Sequence, residues 1–249
     1  MPSPRALGDA AVLPLRGELR YGLELAQLTA DREFVLPRRR PNAPPVLLVP
    51  GFMAGDQSLT VLRGWLTRRG SATAASGIRF NVNCGERAAH QVETRLHRLV
   101  DRTGRPAVIV GQSRGGELAR VVTVRNPDLV SAVVMLGSPV RARLDVGPAV
   151  LNAVRSVARL GDLGIPGLFS SRCAEGDCCA AYRRDLDRPL PESVEAVAVY
   201  SRTDGIVSWQ ACLDPDARHV EVRSSHAGMS VNRAVYRVLA EVLEAQEEG

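Results

Sequence analysis

Lysine is absent from this 249-residue chain, so all 32 of its basic residues are arginine. That excludes a P-loop lysine, a Schiff-base lysine and a kinase-type lysine. Aromatic residues make up only 4%, and there are four histidines, so few imidazoles are available as a base. No stretch approaches the ~18 uninterrupted apolar residues of a membrane-spanning helix. The N-terminal "MPSPRALGDAAVLPLRGELR" lacks the apolar h-region of a secretory signal. This implies a cytoplasmic protein, or a secreted one whose leader has been trimmed. The formal net charge is +5. Nucleic-acid binding would need that charge on one face. The arginines are instead scattered, with one short run, Arg38, Arg39 and Arg40, between prolines. They read as a solvated surface, with no nucleic-acid partner.

What is present supports one domain. A hydrophobic fraction of 45% over 249 residues suits an α/β domain with a modest insertion. "VLLVPG" at 46–51, "IRFNVN" at 78–83, "AVIVG" at 107–111, "SAVVMLG" at 131–137, "VEAVAVYS" at 194–201 and "HVEV" at 219–222 read as strands. Helical spacing runs through Leu19, Leu23, Ala26 and Ala30, then Leu59, Leu62 and Leu66 up to a stop at Arg68, Arg69 and Gly70. It recurs over 86–101, 116–125 and from Val231 to Val242. Unbroken Val/Ile/Leu/Ala strands alternating with helices predict a parallel sheet covered on both faces. The expected organisation is an N-terminal helix and linker at 1–44, a core at 45–138 and 193–249, and a cap at 139–192. The cap contains a possible amphipathic helix with Val150, Val154 and Val157 on one face and Leu151 beside it.

Five cysteines is an odd number. Zinc spacing normally shows paired C-x-x-C units or nearby histidines, and neither is present. No metal or cofactor is therefore read. Free thiols are the default in a reducing compartment. A bridge from Cys178 or Cys179 to Cys212, with Cys173 on the remaining one and Cys84 free, would pin the cap and add about 2–4 kcal/mol.

The chemistry lies in "AVIVGQSRGGELARV", 107–121. Gly111, Ser113 and Gly115 form G-x-S-x-G between a strand and a helix. Such a turn exposes a serine hydroxyl at a helix N-terminus, where free N–H groups favour negative charge. A serine nucleophile needs a base and an orienting acid. His90 and His97 share a polar helical face, and His219 lies within a strand. His226, in "SSHAGMS" after the last strand, is the candidate base. Asp204, in "VAVYSRTDGIV", leaves a strand end and is the candidate acid, ahead of Asp177, Asp185 and Asp216. It could equally be a Thr-Asp-Gly turn aspartate. The order Ser113, Asp204, His226 fits this architecture. The oxyanion donors would be the N–H groups of Arg114 and, after Gly51, of Phe52. The Arg114 side chain would face solvent, Asp56 or a substrate group.

These motifs resemble the α/β-hydrolases of the lipase/esterase kind. "LLVPGF" is similar to their oxyanion loop, "VGQSRGG" to the nucleophile elbow, "YSRTDGIV" to the acid loop and "SSHAGM" to the histidine loop. The resemblance covers about 45–245. It implies a reduced, nearly all-parallel sheet of about six strands, because residues 1–44 hold no counterpart of the usual first two strands. It implies an ester hydrolase acting through an acyl-enzyme on a small-molecule or lipid substrate, with Ser113, Asp204 and His226 as triad. Thioesterases, amidases and acyltransferases share that triad. A non-catalytic binding module on the scaffold is the rival from another class.

Overall fold

The computed structural model describes residues 20–141 and 144–247. Its strands are β1 Val46–Val49, β2 Thr73–Ala75, β3 Ala107–Gln112, β4 Val130–Leu136, β5 Glu195–Tyr200 and β6 Arg218–Glu221. They form one six-stranded sheet in the order β2-β1-β3-β4-β5-β6. Every pairing is parallel, as the strand composition predicts. Successive side chains of a strand face opposite ways. Val46, Leu48, Val108 and Val110 therefore pack with the helices α3 Thr60–Arg69 and α9 Arg233–Ala245. Leu47, Val49, Ile109 and Val133 pack with α4 Gly85–Thr103 and α5 Arg114–Arg125. Gly70 stops α3 at φ 107°, and a Cβ there would collide with the Arg40 carbonyl.

Two segments differ from what their residues predict. "IRFNVN" is not a strand, and the edge strand is Thr73–Ala75. Asn81 and Asn83 instead engage the loop after β1 and the Arg114 side chain, which takes their carbonyls out of any ladder. The N-terminal apolar stripe is also misplaced. Leu19 lies outside the described residues, and Leu23 is 55% exposed. Helix α1 Tyr21–Thr29 buries Glu24 and Leu28 instead. The short helix α2 Arg32–Val35 follows.

The segment expected as a cap over 139–192 has two characters. Helix α6 Pro148–Asp162 buries only Val157. After α7 Arg172–Glu175 comes α8 Ala180–Asp187. Here Cys179, Tyr182, Leu186 and Leu190 join the same core cluster as Ile109 and Leu118. The Arg125 guanidinium ties this helix down, 2.8 Å from both Asp185 on α8 and Glu86 on α4. No helix among the described residues is long and apolar enough to cross a membrane.

Candidate active site

Strand β3 ends at Gln112 and α5 begins at Arg114, so Ser113 alone makes the turn. It does so at φ 54° and ψ −126°. Left-handed backbone at a non-glycine residue costs on the order of 1–3 kcal/mol and persists only where its surroundings fix it. They do so here. A Cβ on Gly111 would collide with the Gly115 carbonyl, and one on Gly115 with the Val49 carbonyl. The Ser113 N–H donates to the Leu136 carbonyl at 2.8 Å. The turn brings Ser113 beside the loop after β1. A Cβ at Gly51 would lie 3.2 Å from Ser113 Cβ and 3.8 Å from its Oγ.

Asp204 and His226 meet at the ends of β5 and β6. Asp204 Oδ1 accepts from the N–H groups of Ile206 at 2.8 Å and Val207 at 2.9 Å. That is the turn role foreseen for a Thr-Asp-Gly aspartate. The same bonds fix the carboxylate plane, and Oδ2 lies 2.7 Å from His226 Nδ1. Both residues are buried, Asp204 to 4% and His226 to 7% exposure. The imidazole lies against Gly137, where a Cβ would stand 3.2 Å from Nδ1. Gly137 directly follows Leu136, whose carbonyl receives the Ser113 N–H. Gln112, next to Ser113, donates from Nε2 to the His226 carbonyl at 3.0 Å. The two loops are also joined directly, Ser201 Oγ donating to the Ser224 carbonyl at 2.8 Å.

The rival residues lie elsewhere. His90 and His97 are exposed on α4, and His219 is exposed on β6 with Nε2 2.6 Å from the Asp214 carbonyl. Asp185 pairs with Arg125 and Asp216 with Arg120, while Asp177 is exposed.

The loop after β1 is held by Asn81. Its Nδ2 donates to the Pro50 carbonyl at 2.8 Å, and its own carbonyl receives the Met53 N–H at 3.3 Å. Met53 is the second non-glycine residue at positive φ, 56°. The Phe52 N–H meets no backbone acceptor among the described residues, and the Arg114 N–H belongs to the first turn of α5, which has no intrahelical partner. The Arg114 side chain does not face solvent or Asp56. It donates to the Asn81 carbonyl and Oδ1, each at 3.0 Å, and to the Asn83 carbonyl at 2.6 Å. Asp56 is engaged by Ser76 and Gly77.

No protein-family model matches the chain, and no curated protein is similar to it in sequence. Its structure is similar to solved ones. The lipase BlEst2 of Bacillus licheniformis in its mature form superposes with a TM-score of 0.60 at 15% identity, over 84% of this chain and 95% of that one. The chain has the α/β-hydrolase fold. Mouse alpha/beta hydrolase domain-containing protein 10 gives 0.52 at 17%, over 82% and 90% of the two chains. A thermophilic esterase gives 0.51 at 18%, over 80% and 90%.

Within this α/β-hydrolase fold, three supports were not visible in the sequence. Glu24 on α1 is 3% exposed. It accepts from Ser225 N at 2.9 Å, Ser225 Oγ at 2.6 Å and Asn232 Nδ2 at 3.3 Å, and so holds the loop of His226. A Cβ on Gly228 would collide with its carboxylate. Its only signal was a charge in the otherwise uncharged "GLELAQL". Phe169 is the second support. Its ring lies 6.1 Å from that of Phe52 and 5.4 Å from the Arg114 guanidinium. The third is the way α6, a helix the sequence does predict, is held. It is anchored at its start by Gly147 N–H to the Ile206 carbonyl, 2.7 Å, and beyond its end by Phe169 N–H to the Val82 carbonyl, 2.7 Å. Its 15 residues span about 22 Å. The strands from β1 to β5 spread over about 14 Å, so α6 is long enough to run from one loop to the other.

The expected bridges to Cys212 are not made, and all five cysteines are free. Cys212 packs with Val207 and Ala211 instead. Burial first, then the charges of Asp204 and Asp145, push its thiol well up. Cys173, Cys178 and Cys179 are joined by Cys84, not Cys212. Burial pushes the Cys179 thiol up to about 12. At Cys84 burial acts the same way, but it is outweighed by hydrogen bonds from Cys179 and from the Arg87 and Glu86 backbone, which hold that thiol below its ordinary value.

Proposed function

We propose that the chain is a serine hydrolase that cleaves carboxylic esters with an apolar acyl chain through an acyl-enzyme. The observation that carries this reading is the 2.7 Å bond between Asp204 and His226, set beside a serine held at φ 54°. The similarity to a lipase and an esterase supports it at the level of the fold.

In this mechanism Ser113 Oγ attacks the ester carbonyl carbon, and His226 Nε2 takes the hydroxyl proton. Asp204 accepts a hydrogen bond from Nδ1–H, without taking the proton, and steadies the imidazolium. The carbonyl oxygen becomes an oxyanion held by the N–H groups of Phe52 and Arg114. Arg114 serves through its backbone, while its side chain braces residues 81–83. The tetrahedral intermediate then expels the alcohol, which takes the proton from His226. Water attacks the acyl-enzyme by the same route and returns Ser113. Helix α6 would cap the acyl group. Val150, Leu151 and Val154 are half-buried, and Val157 is buried, yet none belongs to either large core cluster. An apolar face left out of the core is available to an acyl chain.

A fluorophosphonate should add to Ser113 and to no other serine. Intact-mass spectrometry that finds no adduct on native protein would remove the enzyme reading and leave a binding module. Chromogenic esters from acetate to octanoate, run with a thioester and an amide, separate an esterase from its thioesterase and amidase rivals. The reading requires ester cleavage to exceed both.

A further inference from the structure

Cys84 precedes α4, Cys173 lies in the short α7, and Cys178 and Cys179 follow it. Their sulfur atoms all lie within 4.8 Å of one another, although Cys84 and Cys179 are 95 positions apart in the chain. Cys84 and Cys179 approach to 3.1 Å, and Cys173 and Cys178 to 3.7 Å. Four sulfurs around a metal at the zinc–sulfur distance of about 2.3 Å would stand about 3.8 Å apart. Small shifts separate the present arrangement from that tetrahedron. We propose that Cys84, Cys173, Cys178 and Cys179 bind one zinc ion as a closed, structural tetrathiolate site.

Three further observations point the same way. Cys84 is the N-cap residue of α4, so it stands at the first turn, where the Glu86 and Arg87 N–H groups have no intrahelical partner. A thiol or disulfide sulfur is a weak acceptor, whereas a metal-bound thiolate uses such donors. The turn that presents the ligands is already set. Arg183 donates to the carbonyls of Cys173 at 3.1 Å, Glu175 at 3.0 Å and Gly176 at 2.9 Å. Helix α7 buries no residue of its own, and it is two of the cysteines, Cys179 within the core cluster and Cys173 against it, that pack this turn on the core. Binding releases the thiol protons to solvent. Four thiolates and Zn²⁺ leave a site of net charge two minus, facing the N-terminus of α4. With four protein ligands the metal keeps no open position, which is the structural rather than the catalytic arrangement.

The site also has a mechanical consequence. Cys84 follows Asn83, whose carbonyl receives Arg114 Nη2 at 2.6 Å. Zinc would therefore fasten the 172–179 turn to the segment that braces the loop of Phe52.

The test is metal content of the full chain, produced with zinc supplementation and purified without chelator. Elemental analysis and native mass spectrometry should find one zinc per chain. Replacement by cobalt should give thiolate-to-cobalt charge transfer and intense tetrahedral d–d bands. Cys178→Ser, at the exposed ligand, should abolish retention of the metal through a chelator wash. Cys212→Ala, outside the cluster, should retain one equivalent. After chelation of the parent protein, four additional thiols should react with a disulfide reagent. Absence of metal with all cluster thiols freely reactive would overturn the proposal. So would two disulfides, Cys84–Cys179 and Cys173–Cys178, found by non-reducing alkylation and peptide mapping. None of these readouts depends on ester hydrolysis, so the site stands or falls separately from the enzyme reading.

Discussion

Ser113, Asp204 and His226 follow strands that are paired on each side or tied by backbone bonds to the next loop, while α6 is fastened near its two ends. At the strand ends, Ser113 and Asp204 are set by groups close to them in sequence, Gly111 and Gly115 around Ser113 and Ile206 and Val207 under Asp204, while His226 is held by Asp204 and Gln112. Across the top, the chain is held by long-range contacts, Phe169 against Phe52 and Gly147 against Ile206. The first region is built for fixed geometry. The second leaves an apolar helix face free to adapt to what lies beneath it.

Substitutions at the fixed edge should have the largest effect. Ser113→Ala or His226→Ala should each lower kcat by about 10⁶-fold, and the double variant by little more, because the two act as one unit. Asp204→Asn should cost about 10⁴-fold, since the aspartate orients and steadies rather than transfers. Steady-state kinetics beside thermal unfolding checks both; Tm should hold in Ser113→Ala, whereas His226→Ala, which leaves the buried Asp204 without its partner, should lower it. Near-full activity in Asp204→Asn would mean that the histidine is oriented from elsewhere.

The second half of the insertion should respond in stability rather than in chemistry. Arg120 is 5% exposed and Asp214 1%. Arg120 Nε lies 2.6 Å from Asp214, and its Nη1 donates to the carbonyls of Leu186 at 2.6 Å and Arg188 at 2.7 Å. Arg120→Met leaves Asp214 buried without its partner, which costs about 3–5 kcal/mol. A scanning experiment should show Tm lower by on the order of 10 °C, with Ser113 still labelled at temperatures where the variant is folded. An unchanged Tm would show that this half does not depend on the buried pair.

Glu24 should fall between the two regions, because a contact from far along the chain supports the fixed edge. Glu24→Gln turns an amide donor toward the Ser225 donors. A displaced His226 should lower kcat by about 10-fold to 100-fold, with KM little changed and with Glu24→Asp partly active. An equal loss of stability in both variants without a kcat difference would make Glu24 a purely structural support.

The same division explains what could be read from the sequence. Parallel, doubly covered strands were legible because burial on both faces forces apolar runs such as "AVIV" and "VAVY". The elbow, the Asp204 turn and the His226 loop were legible because glycines and strand ends mark them locally. Residues 78–83 misled because alternating polar and apolar residues imitate a strand, while Asn81 and Asn83 engage distant loops. Glu24 was hidden for a related reason. Helical spacing favours leucines, and nothing local shows that the buried face should carry a carboxylate for Ser225. The cysteines were misassigned because linear spacing brings Cys173, Cys178 and Cys179 together but says nothing of Cys84, which only the docking of α8 against α4 brings to them.

The smallest effect expected is also the one that bears most directly on α6. If its apolar face contacts the acyl chain, each methylene placed against it contributes about 0.8 kcal/mol, roughly fourfold, when fully buried. Rates should then rise by up to about fourfold for each of the first few carbons beyond acetate. Val150 and Val154 are half-buried on that face. Val150→Ser and Val154→Ser should flatten the rise, to about twofold per carbon, and leave acetate hydrolysis unchanged, because a short acyl group does not reach the helix. The slope against chain length is the measurement, since a slope is insensitive to general damage. A parallel fall for every ester, acetate included, would mean that α6 only braces the loops at its ends. A wild-type profile already flat from acetate to octanoate would remove the acyl role altogether.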